Sequence, residues 1–152
     1  MPSHRPAVAL ILALACLAAG AAHAAGQLVV EQAWVRAAPP GAAMLAGYAR
    51  LSNRGDEAIS IESVDSPAFA HASLHETRVE NGVSGMRALP ALVLAPGASV
   101  ELAPGGKHVM LMQPKTELAS GAHVLLEFVL GDKRRVAADF VVADAAPAES
   151  PH

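Results

Sequence analysis

From Leu28 to Val142, apolar and polar positions alternate in short runs, each closed by turn-forming residues. The pattern predicts strands at Leu28–Val35, Leu45–Leu51, Ala58–Val64, Ala72–Val79, Ser99–Leu102, His108–Gln113, His123–Leu130 and Arg135–Val142. The breaks between them are Pro39-Pro40-Gly41, Asn53-Arg54-Gly55-Asp56, Asn81-Gly82, Ala95-Pro96-Gly97, Pro104-Gly105-Gly106, Ser120-Gly121 and Gly131-Asp132. No stretch after the first 24 residues holds a 3.6-residue period for three turns. Strands at this spacing predict an all-β domain, a β-sandwich or small Greek-key barrel. Such folds host many activities, so function has to be argued from a site.

The two ends break the pattern. Residues 1–24 carry Arg5, an unbroken apolar run from Ala7 to Ala22, and then Ala22-His23-Ala24. This reads as a secretory signal cut after Ala24. The run is shorter than the ~18–20 residues a bilayer span needs, and no later segment is long and apolar enough to span. A lipid-anchor reading through Cys16 is disfavoured, because Ala13 stands three residues before it. The domain is therefore expected at 25–142, followed by a disordered Ala/Pro-rich tail at 143–152.

Removing the signal removes the chain's one cysteine. The exported form then has no disulfide and no thiol, which excludes thiol catalysis, Cys-rich zinc sites and Cys-ligated blue copper. The net charge of −3 argues against nucleic acid and against a polybasic membrane contact. There is no G-x-S-x-G, no H-E-x-x-H and no phosphate loop, so the chain does not read as an enzyme.

What chemistry remains lies in histidine and methionine. In His108-Val109-Met110-Leu111-Met112, period-2 alternation puts His108, Met110 and Met112 on one strand face and Val109 and Leu111 on the core face. Thioether sulfur beside imidazole suits Cu(I). Either methionine taken alone also fits plain packing. His75 and Met86 flank the Asn81-Gly82 turn and so fall on the two arms of one hairpin, a candidate other half of the site. Spacing alone leaves open whether the four converge.

The intervals are His75, ten residues, Met86, twenty-one residues, His108, one residue, Met110. This resembles the H-x10-M-x21-H-x-M signature of the PCu(A)C family of periplasmic copper chaperones. Similar blocks surround it: Ala33-Trp34-Val35-Arg36-Ala37-Ala38-Pro39-Pro40-Gly41, Ala46-Gly47-Tyr48, Leu74-His75-Glu76-Thr77, Met86-Arg87-Ala88-Leu89-Pro90, and Leu102 through Met112. The resemblance covers residues 28–142. It implies a cupredoxin-like β-barrel that binds Cu(I) through His75, Met86, His108 and Met110. It also implies delivery in the periplasm toward cytochrome c oxidase, with subunit II or a Sco-type thiol protein as acceptor. The chain departs from richer members at Val79 and Ser84, where many carry additional methionine. Its tail offers only His152 for a second copper. A monomer is expected. Two other readings share these residues: a copper sequestration or resistance protein, and a metal-free β-sandwich interaction module.

The remaining residues read as follows. Met112 is expected in the core or just behind the ligands, with direct metal contact as the alternative, Met44 in core or loop packing rather than as a ligand, and His71 either at the surface near His75 or as an auxiliary copper contact. Trp34 is expected in the core, Glu76 on the face opposite His75, Lys107 as a solvated turn residue, and Asp132–Arg135 as a solvated hairpin rim. His123 is assigned no role.

Overall fold

The computed structural model describes residues 24–148; the secretory-signal reading of residues 1–24 and the end of the tail at 149–152 fall, all but Ala24, outside the described residues. Ten strands follow in chain order: β1 (Leu28–Arg36), β2 (Met44–Asn53), β3 (Ile59–Asp65), β4 (Phe69–Glu80), β5 (Val83–Ala88), β6 (Leu92–Leu94), β7 (Ser99–Leu102), β8 (Lys107–Pro114), β9 (His123–Leu130) and β10 (Arg135–Ala143). Among the described residues there is no helix. All eight expected runs fold as strands. β4 starts at Phe69, three residues earlier than its alternation suggests, and β5 and β6 are additional.

Hydrogen bonding runs along β5-β4-β8-β2-β1-β10-β9-β3-β6, with β7 on β2. The path is open at β5 and β6, so the sheet curls around its core without hydrogen-bonded closure, and β3 packs beside β4. Val35, Leu51, Ile61, Val109, Leu111, Leu126, Phe128 and Phe140 lie at the centre of that core, each with no exposed surface. Burial at ~25 cal/mol per Å² of apolar surface is what offsets the entropy of ordering these short strands.

Three local features position the site. The first is a bulge in β1. Glu31 pairs with Arg50, but Trp34 pairs with Tyr48, so β1 carries one extra residue there, and Gln32 has φ of 52°. The insertion reverses parity. Leu28 and Val30 point inward before it, and Ala33, Val35 and Ala37 after it. Trp34 and Arg36 are thereby turned to the outer face, where Trp34 packs on Tyr48 with ring centroids 4.9 Å apart. Trp34 is buried, as expected, but outside the main core.

The second is the β4–β5 hairpin. Glu80 pairs with Val83 across Asn81 and Gly82, whose φ angles are 52° and 78°. Two central residues with positive φ make the tight two-residue turn whose twist matches the strands, and Asn-Gly is the sequence that tolerates it. The third is a branch in the sheet. β2 pairs with β8 from Met44 to Gly47 and with β7 from Ala49 to Ser52. β8 therefore leaves β2 after Val109, and His108 sits where only β4 remains beside it.

The hairpin rim at Asp132–Arg135 is more engaged than its sequence suggests. Arg134 donates to the Gly26 carbonyl at 2.7 Å, and Arg135 bridges Glu127 and Asp65, each at 2.6 Å.

Candidate metal centre

Side chains alternate faces along each strand and directly paired residues share a face. The register therefore fixes which donors lie together. β4 and β8 pair His75 with His108, Ser73 with Met110, and His71 with Met112. β4 and β5 pair Thr77 with Met86 and His75 with Ala88. β2 and β8 pair Met44 with Met112 and Ala46 with Met110. All these residues occupy the outer face. Val109 and Leu111 point the other way, fully buried.

The four sequence-selected residues thus share one face. His75 and His108 are direct partners, with ring centroids 6.1 Å apart and planes 30° apart. Imidazole nitrogen–metal bonds of ~2.0–2.1 Å place two rings around one ion with centroids roughly 5–6 Å apart, close to this spacing. Met86 lies one pair along from His75. Met86, His108 and Met110 line a single open hollow of about 310 Å³, whose other walls are Arg36 to Pro39 and Met44 to Ala46. Ala46 opposite Met110 is small, which leaves the hollow its depth. No carboxylate is among its lining residues. Among the described residues, no three His, Cys, Asp or Glu side chains converge either. Apart from the Arg36 guanidinium at its wall, the hollow thus offers neutral nitrogen and sulfur, a poor match for Mg²⁺ or Ca²⁺.

The imidazoles are held in defined states. His108 is 5% exposed, and its Nδ1–H donates to the Gly106 carbonyl at 3.1 Å. That bond fixes the tautomer and leaves the Nε2 lone pair available, the usual arrangement behind a metal-binding histidine. The same carbonyl accepts the Thr77 N–H at 3.0 Å, so one turn oxygen ties the His108 ring to the stretch of β4 facing Met86. His75 Nε2 lies 3.0 Å from Ser73 Oγ. Partial burial and the neighbouring His108 push the His75 pKa below its ordinary value. Both effects keep His75 neutral, the form that binds metal.

The opposite face of the same strands carries charge. Glu76, a buried carboxylate, accepts from Arg78 at 2.6 Å, Arg87 at 3.1 Å and Lys107 at 3.1 Å. These hydrogen bonds, those from Arg78 and Lys107 first, hold its pKa down at about 2. Glu76 faces away from His75 as expected. Lys107, expected to be solvated, is part of this knot. Glu76 follows His75, Arg87 follows Met86, and Lys107 precedes His108, so the knot pins three strands at the residues next to the donors. A charge thus stands beside three of the four donors, on the other face, whereas Met110 lies between Val109 and Leu111.

Met44 is corrected too. It is 59% exposed on the outer face, not packed in core or loop. Met112 is half-buried and His71 exposed on the same face. Val79 and Ser84 pair directly, also on this face, and Val79 is 69% exposed. His123 lies elsewhere, paired with Asp139 at 2.5 Å.

Residues 28–142 match the family model LpqE-like, described as "Putative lipoprotein LpqE-like". A relative from Leifsonia xyli subsp. xyli, "Putative lipoprotein Lxx21020", is 34% identical over 104 residues, 68% of this chain and 61% of its own length. The chain thus spans about three-fifths of that relative. Among solved structures, the copper-bound PCuAC domain from PmoF2 superposes with a TM-score of 0.64 at 25% identity, covering 80% of this chain and 95% of that one. The CuI-DR1885 solution structure from Deinococcus radiodurans gives 0.63 at 29% identity, covering 83% of each. The all-β fold is therefore the cupredoxin-like fold of PCuAC domains.

Proposed function

Starting from the fact that this chain belongs to the LpqE-like family, we propose that it is a copper chaperone whose cargo, Cu(I), is held by His75, Met86, His108 and Met110. The observation that carries this reading is the single carboxylate-free hollow lined by Met86, His108 and Met110, with His75 directly across from His108. The copper-bound PmoF2 domain and CuI-DR1885 support copper as the ion. Two neutral imidazoles and two thioethers add no charge, which favours a soft monovalent ion over a divalent one.

The exposure of the site favours transfer over storage. Met86 is 53% exposed and Val79 beside it 69%. An acceptor can displace the thioethers one at a time, with no proton to move and no thiol to oxidise. The chaperone acts outside the cytoplasm, in the periplasm, and hands Cu(I) toward cytochrome c oxidase, to subunit II or to a Sco-type thiol protein. The role is non-catalytic. Among the described residues no helix is long and apolar enough to cross a membrane.

The test is anaerobic competition of the protein against a Cu(I) chelator, followed by mixing the loaded protein with a dithiol acceptor. One tight equivalent that His108→Ala abolishes, and that moves to the dithiol, is expected. Equal affinity in His108→Ala and the parent overturns the assignment.

A further inference from the structure

Three donors on the outer face remain outside the proposed cargo site. His71 on β4 is the direct partner of Met112 on β8, and Met112 is the direct partner of Met44 on β2. Directly paired residues hold their β-carbons ~5 Å apart on one side of a sheet. Met112 therefore stands between an imidazole and a thioether, each within reach. The neighbouring row is Ser73, Met110 and Ala46, a thioether between two small residues. The row beyond that is His75 and His108. Successive rows on one face lie ~6.6–6.8 Å apart along the strands.

Packing does not account for this row. A methionine fills core gaps because it is flexible and apolar, yet Met44 is 59% exposed and His71 is exposed beside it. Met44 also lines the hollow that contains Met86, His108 and Met110. It therefore belongs by register to one row and by contact to the other.

We propose that His71, Met112 and Met44 form a second station for a soft monovalent metal ion, joined to the cargo site through Met44 and Met110. The inference rests on the reading of this face as a Cu(I) surface. The station supplies two thioethers and one imidazole, all neutral, one imidazole fewer than the cargo site. It binds more weakly and sits more openly. An ion captured there reaches the hollow by releasing His71 and exchanging Met112 for Met110 while Met44 stays bound, and Met44 is then released as His75, Met86 and His108 bind. No electron or proton is transferred in that exchange.

The experiment is a titration of the full chain, methyl-labelled at methionine, with Cu(I) under anaerobic conditions and with Ag(I) as a redox-inert substitute, followed by NMR. The first equivalent is expected to shift the Met86 and Met110 methyls, and the second those of Met44 and Met112 together with the His71 ring. Met112→Leu and His71→Ala each lose the second equivalent and keep the affinity of the first. Stationary Met44 and Met112 methyls through two equivalents overturn the proposal. So does movement of all four methyls within the first equivalent, which makes one larger site. Should Met44 and Met112 respond while Met86 and Met110 never do, the second station stands and the cargo-site assignment falls.

Discussion

The two faces of the β4–β5–β8 end are built from the same short stretches of chain and have opposite chemistry. On the outer face Met86, His108 and Met110 present neutral, soft donors around an open hollow, with His75 paired to His108 beside it. On the inner face their chain neighbours Glu76, Arg87 and Lys107, with Arg78, form a knot of charge around one buried carboxylate. Alternation lets one strand serve both: on the proposed reading one side chain meets the ion, and the next fixes where the backbone holds it. Affinity and positioning are thereby separable by mutation.

The sharpest break is on the outer face. His108→Ala or Met110→Ala should weaken Cu(I) binding by more than the ~10–100-fold typical of losing an outer-shell partner, and Met44→Ala should weaken the first equivalent far less. Chelator competition measures all three. Equal losses would merge the rows that the register separates.

Breaking the inner face should cost less. Glu76→Gln removes the carboxylate and leaves three cations facing one another, so Cu(I) affinity should fall within that ~10–100-fold range. The melting temperature should fall too. A variant with normal stability and weakened binding would mean that Glu76 acts on the ion directly.

Acidity distinguishes the faces without mutation. The His75 pKa is lowered in the fold, so the unfolded chain takes up its proton first as pH drops below 6.5. His75 therefore contributes stability above 6.5 that is lost as pH falls toward its folded value. Glu76, held at about 2 against 4.5, contributes stability present above 4.5 and lost as pH falls toward 2. Melting temperature against pH should show both declines in the metal-free protein, and Glu76→Gln should erase only the lower one. An unchanged acid limb in that variant would place the acid sensitivity elsewhere.

The smallest effect is expected at Ser73. Its hydroxyl meets His75 Nε2 at 3.0 Å. Ser73→Ala should free that nitrogen and raise the Cu(I) affinity slightly; a fall would make Ser73 a support for the ring.

The sequence made the outer face legible because period-2 alternation needs only one strand at a time: Val109 and Leu111 inward, His108 and Met110 outward. β5 was legible only through the Asn81-Gly82 turn that placed Met86 on a hairpin arm, since every residue from Val83 to Ala88 is exposed and an arm with no buried face has no hydrophobic pattern. The β1 bulge was hidden as well, although adjacent Trp34 and Val35, both buried, break the alternation there. Lys107 was misjudged because its partner depends on cross-strand register, which local sequence does not encode. Met44 was misjudged because an apolar residue beside a loop is usually packed.

Because β1 holds one residue more than β2 requires, the chain's single tryptophan faces outward with the Arg36 guanidinium 6.0 Å above its ring. Arg36 also borders the hollow. Any occupant that displaces Arg36 changes the electric field over the indole. Loading that moves Arg36 is therefore expected to change the indole fluorescence, and an emission that stays constant through a Cu(I) titration would mean that Arg36 keeps its place.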